Sequence, residues 1–293
     1  MALSATDPRE LAGVFEGLGA TQRDALERHG LAAYLVAGPA LQRKLSTGLH
    51  APGDDLCQVG VALVYAAVDW ARCGRTDAVS EETLRALWPN SLVPGEAATD
   101  EGFQRALEWA LAPVAGSIAL LQRTGSYLVF DYVVRLVSGY AATPPVRAEC
   151  WAAAVATASG GQAQAVGVNA YFRFNKETAL QAFARARMSS AEIAAVSGVN
   201  LGVVLGEMGR SEEGIEAYDE VLARFGDAPE AALREPVAKA LVNKGVTLGV
   251  LGRSEGDRGL RRVLARFGDA PEAALRDAAA RARAARVRDE GTH

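Results

Sequence analysis

The second half of the chain carries apolar residues at spacings of three and four, the pattern of one buried face of an α-helix. Two successive stripes have this form: Leu201, Val204, Leu205 and Met208, then Ile215, Tyr218, Val221 and Leu222. Gly209 separates the stripes and Gly226 follows the second, so a glycine is predicted to end each helix. Ser211 is the predicted N-cap of the second helix, and Asp227 is that of the next, with Pro229 in its first turn. The pattern predicts two helices joined by a tight turn.

This two-helix unit is repeated. Residues 221–234 recur unbroken as residues 263–276, an offset of 42, and residues 205–212 are echoed by residues 248–255, an offset of 43. A more divergent copy precedes them at an offset of 35, with Gly167 opposite Gly202. Identity this long between two segments indicates internal duplication, and such periods are typical of stacked helical repeats.

Three glycines fall in the middle of predicted first helices, where glycine costs about 1 kcal/mol relative to alanine. They are Gly167, Gly202 and Gly245. We expect each to allow close approach of the second helix of its unit, which carries the aromatic residues Phe183 and Tyr218 in the first two copies. These five residues are the predicted repeat-packing residues.

The order of residues 248–255, followed by a small residue, an aromatic residue and a proline after the second helix, resembles the tetratricopeptide repeat (TPR). The resemblance is close over residues 195–236, good in the first helix of 238–279 and weak over 160–193. Gly214 stands where the family prefers alanine. Gly256 and Gly259 stand where the last second helix should begin, so we expect that helix pair to be frayed or shifted. The alanine- and arginine-rich residues 271–290 are predicted to form a capping helix; a basic arm for an acidic partner or nucleic acid is the alternative.

In the TPR family the first helices line a concave groove that holds a peptide or a partner helix. The resemblance implies that an asparagine two residues before the packing glycine bonds the backbone of a bound peptide. Lysines nearby could meet an acidic group or a terminal carboxylate, and valines would make the groove partly apolar. The alternative is that these are ordinary exposed residues of a helix surface. The predicted partner-binding residues are Asn200, Val203, Lys239, Asn243, Lys244 and Val246.

The first half reads as a separate, largely helical region. Its predicted helices cover residues 11–18, 22–29, 31–45 with a break at Gly38-Pro39, 56–72, 80–87 with Ser80 as N-cap, and 100–111. A β-hairpin is predicted from residues 118–123 and 127–134. The predicted domains are a helical segment (1–50), a winged-helix-like domain (51–138), a linker (139–148) and TPR-like repeats with the cap (149–293; repeats at about 160–193, 195–236 and 238–279).

Helices followed by a hairpin suggest DNA binding, but the charge opposes it. Between Asp54 and Arg135 there are six basic and eleven acidic residues, a balance that disfavours phosphate contact. Residues 30–41 and 66–74 also resemble the arm of STAND-type nucleotide-switch ATPases of actinobacteria, which joins an ATPase to a repeat sensor. The resemblance extends over residues 20–138. The chain has no Gly-Lys dipeptide and therefore no P-loop, so the resemblance implies an arm and sensor without the ATPase.

Composition narrows the remaining chemistry. The 293 residues carry a net charge of −4, so nucleic acid is an unlikely partner for the whole molecule. Cys57, Cys73 and Cys150 lack metal-site spacing, and we interpret them as buried thiols in a reducing compartment. Hydrolase signatures are missing. We predict no catalytic residue, no metal and no cofactor. Without a signal-like N-terminus or a long apolar run, a cytoplasmic location and no membrane contact are expected.

The sequence therefore predicts a mainly α protein with a helical, winged-helix-like N-terminal domain containing one β-hairpin, followed by a TPR-type superhelix of α-α hairpins. The predicted function is that of a non-catalytic scaffold which binds a peptide or partner protein in the concave groove, as the sensor portion of a STAND-type regulator. The alternative is a nucleic-acid-binding regulator using the winged-helix-like domain and the arginine-rich helix. A short array also suggests homo-oligomerisation through its open end.

Overall fold

The computed structural model describes residues 31–50, 57–139 and 144–290. They are mainly helical, with one small two-stranded hairpin. The described residues form two compact units: one runs to Cys150 without residues 73–75, and the other comprises Cys73–Arg75 and the chain from Trp151 onward. The helices predicted at 11–18 and 22–29, the segment 51–56 and linker residues 140–143 lie outside the described residues.

The first unit contains the helices predicted from residue 31 onward, a shorter hairpin than predicted and one further helix. Its elements are α1 (Leu31–His50), α2 (Gln58–Arg72), α3 (Glu81–Leu87), a 3-10 turn (Trp88–Ser91), α4 (Asp100–Leu111), β1 (Leu121–Arg123), β2 (Tyr127–Val129) and α5 (Asp131–Ser138). β1 and β2 are antiparallel, with Gln122 opposite Leu128, and Val79 forms a bridge to Tyr127. Ser80 caps α3 as predicted, accepting a hydrogen bond from the backbone N–H of Thr83.

The core of this unit is built around α2, which is buried along most of its length. The indole Nε1 of Trp88 donates a hydrogen bond of 2.9 Å to the carbonyl of Val59, and the Trp88 ring packs edge-on against Phe103 at 5.4 Å. A Cβ added to Gly60 would lie 2.9 Å from Cδ2 of Trp109, so the glycine lets α4 approach α2. Aromatic packing and one buried hydrogen bond thus join α2 to the elements that follow it.

Two predictions for this unit are wrong. The second strand ends at Val129, and the residues predicted to extend it are helical in α5, because Val133 and Val137, four residues apart, are both buried on one helix face. The predicted break at Gly38-Pro39 does not occur either, since α1 continues through Pro39. Ala37 and Leu41 are fully buried on either side of the proline, and this packing outweighs its effect on the helix.

The second unit is a series of antiparallel helix pairs. Its helices are α6 (Ala148–Thr157), α7 (Gly160–Phe172), α8 (Lys176–Ala186), α9 (Ala191–Glu207), α10 (Ser211–Phe225), α11 (Ala231–Val250), α12 (Glu255–Phe267) and α13 (Ala273–Glu290). We call α7, α9 and α11 first helices and α8, α10 and α12 second helices. Each first helix packs on its own second helix, and α13 packs on both α11 and α12. The described part of this unit thus contains three helix pairs, followed by the helix α13.

The ends of these helices differ in detail from the prediction. The N-cap of α10 is Arg210 rather than Ser211, because the carbonyl of Arg210 already accepts the first helical hydrogen bond, from Gly214. The N-cap of α11 is Glu230 rather than Asp227, since Ala228 still bonds the carbonyl of Phe225 at the end of the preceding helix. Gly209 has a φ of +77°, the left-handed conformation that glycine supplies at low cost.

The last helix pair was expected to be frayed or shifted, and the structure shows the shift without the fraying. α12 is continuous from Glu255 and is shifted by one residue, because Ser254, the equivalent of Ser211, is its N-cap. A Cβ added to Gly256 would lie 2.7 Å from the carbonyl oxygen of Gly245. The glycine that appeared to weaken the helix instead allows two backbones to pack closely.

Helix α13 begins with the second copy of the duplicated segment, so it is the counterpart of α11. At the position equivalent to Gly245 it carries Val287, whose side chain is 69% exposed. Its buried face consists of Leu275, Ala278, Ala279 and Ala282. α13 therefore closes the array as a first helix with no second helix after it in the described part of the chain.

Candidate interaction surfaces

The three predicted packing glycines lie at the closest approach of the helix pairs. An added Cβ would lie 2.6 Å from the Phe183 ring at Gly167 and 2.7 Å from Cζ of Tyr218 at Gly202. At Gly245 the neighbour is Leu260, at 2.8 Å, in place of an aromatic residue. The same geometry thus recurs three times with a changed partner in the last pair.

Two of the predicted partner-binding residues, Asn200 and Val203, line one small pocket between α7, α8 and α9. Its volume is about 160 Å³, and we call it the apolar pocket. Asn200 is the one amide in its lining and is half-buried. The full lining is Val168, Tyr171, Phe172, Phe183, Asn200, Val203 and Val204. At its edge the Tyr171 hydroxyl donates a hydrogen bond of 2.6 Å to Glu207, which raises the pKa of Tyr171 and lowers that of Glu207.

Two large apolar side chains are exposed at the end of α7 and in the turn after it: Phe172, which lines this pocket, and Phe174, two residues further along. Phe172 is 73% exposed and Phe174 is 90% exposed. Phe174 has a φ of +59°, a left-handed conformation in which a bulky residue is strained. The turns of the next two pairs place Gly209 and Gly252 at the corresponding position, with φ of +77° and +70°. Phe174 thus stands where the other two repeats use glycine.

The other predicted partner-binding residues do not join Asn200 and Val203. The Asn243 Oδ1 accepts a hydrogen bond of 3.1 Å from Arg281 of α13, and its amide also bonds the Tyr218 hydroxyl. Lys239 pairs with Glu235 one turn away, at 2.6 Å. Val246 is exposed on α11. Because the closing helix engages Asn243, the two asparagines that the sequence equates have different surroundings.

Lys244 lies in a second, larger depression, which we call the basic groove. It runs between α10, α11 and α12 and has a volume of about 1000 Å³. Its floor is aliphatic, with Ile215, Leu222, Leu241 and Leu248. Its walls carry Asp219, Lys244, Arg253, Glu255, Arg258 and Arg262. Sequence reasoning found Lys244 but missed the arginines, because two of them belong to the helix that was expected to fray.

The first unit also contains a buried ionic cluster, formed by Asp69, Arg72 and Arg147. The Asp69 carboxylate accepts a hydrogen bond of 2.8 Å from Arg72 and another from Arg147, and Arg72 also donates to the carbonyl of Pro144 at 2.8 Å. Burial raises the pKa of Asp69, and the two guanidinium groups oppose that shift. The carboxylate is fully engaged by cations, so the cluster is a structural cross-link of this unit.

The three cysteines are buried thiols. Among the residues that the structure describes, no group of three or more His, Cys, Asp or Glu side chains could hold a metal ion. Over the same residues, none of the helices combines the length and apolar character needed to cross a bilayer.

Comparisons with protein-family models, with curated proteins and with solved structures give no match.

Proposed function

We propose that the second unit is a non-catalytic, TPR-type interaction module that binds a segment of a partner protein at the apolar pocket. The helix pairs, the glycines at their contacts and the closing helix support the TPR assignment. The winged-helix-like first unit, the cytoplasmic location and the role as sensor of a STAND-type regulator belong to the same proposal, with the sequence resemblance as their support.

Phe174 is the observation that carries this proposal. A bulky residue in the left-handed region costs about 1–2 kcal/mol relative to glycine, and the exposed ring gains little from burial. Gly209 and Gly252 show that the same turn forms with glycine. Strain of this kind is typical of functional positions, and exposed aromatic side chains are enriched at protein interfaces.

The lining of the pocket indicates what it can hold. A volume of about 160 Å³ suits one aliphatic or aromatic side chain of a ligand rather than a whole small molecule. The Asn200 amide offers both a donor and an acceptor, which a peptide backbone can use together. Phe172 and Phe174 would then cover the inserted side chain. The expected ligand is a peptide segment with one apolar anchor residue.

The test uses a displayed library of random peptides selected on the intact protein. Enriched peptides are then measured by fluorescence anisotropy against Phe174→Gly, Asn200→Ala and the control Met188→Ser. Met188 is 88% exposed in a different turn, so the control removes a similar apolar surface away from the pocket. We expect binding to be lost in the first two variants and kept in the control.

Phe174→Gly has a further readout that separates function from folding. Because glycine relieves the backbone strain, this variant should be more stable than the parent protein by about 1 kcal/mol while it binds less. Peptides that bind all three variants equally would contradict the proposal. So would a Phe174→Gly protein that binds normally.

The alternative of nucleic-acid binding is opposed by the surface of α4. Its exposed positions include Glu101, Gln104, Arg105 and Glu108, so two carboxylates and one guanidinium would face the phosphates. The proposal also includes self-association of the chain through the end of the repeat array. Light scattering that shows a monomer throughout a dilution series would contradict it.

A further inference from the structure

The basic groove is a second surface of the same unit, and it shares no lining residue with the apolar pocket. Its aliphatic floor comes from α11 and from α10 of the preceding pair, and α12 contributes charged residues of the walls. Gly245 and Gly259 also line the groove. They lie where α11 packs closely on α12, because a Cβ added to Gly245 would lie 2.8 Å from Leu260. The groove is thus a depression of about 1000 Å³ with an aliphatic base, and grooves with an apolar base can hold a segment of a partner protein.

Positive charge predominates in the walls, with four basic residues against two acidic ones. Arg262 has no ion-pair partner among the described residues, and Arg258 has a single contact with Glu255 at 3.3 Å. Arg253 is held by Glu212 at 2.5 Å, and Lys244 pairs with Asp219. Exposed pairs of this kind are worth at most about 1 kcal/mol, so a ligand carboxylate can replace the internal partner at little cost.

From these observations we propose that the basic groove binds an acidic, amphipathic segment of a partner protein. The apolar residues of the segment pack on Leu222, Leu241 and Leu248. Its carboxylates pair with Arg258 and Arg262. Charge complementarity determines the choice of occupant, and the aliphatic floor requires that the ligand also carry apolar side chains.

The same groove is poorly suited to nucleic acid. Its lining contains no aromatic side chain on which a base could stack. Asp219 and Glu255 in the walls would repel a phosphate backbone. An acidic peptide needs no aromatic stacking partner. Its carboxylates lie along one face and can bind at a distance from Asp219 and Glu255.

The test uses fluorescein-labelled synthetic peptides with leucines at helical spacing and with glutamate, glutamine or lysine at all other positions. The groove variant Arg258→Gln/Arg262→Gln is compared with the control Arg261→Gln/Arg266→Gln. Both pairs lie on α12 and are exposed, and both variants remove two positive charges. Only the first pair lines the groove. Circular dichroism establishes that both variants fold.

We expect the glutamate peptide to bind the parent protein more tightly than the glutamine peptide, and the lysine peptide not to bind. The groove variant should bind the glutamate peptide about 5- to 20-fold more weakly, the loss of two exposed ion pairs, with the control unchanged. Equal weakening in both variants, no binding of the glutamate peptide up to its solubility limit, or tighter binding of a single-stranded oligonucleotide would overturn the proposal. Because Phe174→Gly leaves this groove intact, that variant should bind the glutamate peptide normally, so the two proposals can fail separately.

Discussion

From the close contact between Gly202 and Tyr218 we expect Gly202→Ala to lower the free energy of unfolding. Helix propensity alone would predict the opposite change. Replacing a mid-helix glycine by alanine ordinarily stabilises a helix by about 1 kcal/mol. At Gly202 the new Cβ would lie 2.7 Å from Cζ of Tyr218, a buried ring whose hydroxyl is held by Asn243. The ring cannot move aside without losing that packing. Overpacking of this kind costs about 1–3 kcal/mol, so Gly202→Ala should lower the free energy of unfolding by about 1–2 kcal/mol.

The matched control lies four residues along the same helix. A Cβ added to Gly206 meets nothing within 4 Å, so Gly206→Ala should raise the free energy of unfolding by up to about 1 kcal/mol. Both variants and the parent protein are unfolded in urea with circular dichroism as the readout. Tyr218→Ala should remove most of the penalty of Gly202→Ala, a coupling of about 1–3 kcal/mol in a double-mutant cycle. If Gly202→Ala stabilises the protein as much as Gly206→Ala does, the close-packing argument is refuted.

Three further predictions concern buried polar groups. The Ser197 hydroxyl is fully buried and has no hydrogen-bond partner among the described residues. Ser197→Ala should therefore raise the free energy of unfolding by about 1 kcal/mol in a urea titration. A loss of stability would show that the hydroxyl forms a hydrogen bond. Burial raises the pKa of Tyr218 to about 12, so the stability it contributes below pH 10 should be lost as pH rises from 10 to 12, by about 2–3 kcal/mol. Tyr218→Phe should show a smaller fall in urea titrations over that range, and identical curves would contradict the assignment. Cys57, Cys73 and Cys150 are buried, and burial also raises the pKa of Cys57. All three thiols should therefore react with a thiol reagent only after the protein unfolds. Fast labelling of the native protein would argue against this arrangement.

The sequence predicted those parts of the fold that depend on local periodicity and on repetition. Gly167, Gly202 and Gly245 could be found because glycine in the middle of an apolar helical stripe has a cost that needs a structural reason. The limits of α4 at Asp100 and Leu111 were also predicted. In the structure Thr99 caps this helix, and Asp100 and Glu101 favour its first turn.

The failures occurred where tertiary contacts outweigh local preference. Gly256 appeared to be a helix breaker, but in the structure it allows close packing on the Gly245 backbone. The pattern of a single helix cannot show a contact with another helix. Pro39 lies within a helix because its neighbours are buried.

The candidate surfaces were only partly predictable for the same reason. Asn200 and Asn243 are equivalent in sequence, yet Arg281 from the closing helix bonds only the second. Phe174 could have been found, since the offset of 35 residues aligns it with Gly209. The arginines of α12 could not be assigned to a groove before the helix pair itself was known to form.

The duplicated segment has a consequence for how this chain can change in length. Both copies hold the end of a second helix, the break at Gly226 or Gly268 and the start of the following helix at Ala231 or Ala273. Unequal recombination between the copies would delete or add 42 residues and leave every helix junction unchanged. Growth beyond α13 is different, because Val287 occupies the place where a further second helix would need glycine. The array can therefore gain or lose a helix pair between the two copies, whereas a second helix packed on α13 as α12 packs on α11 would need a smaller residue than Val287.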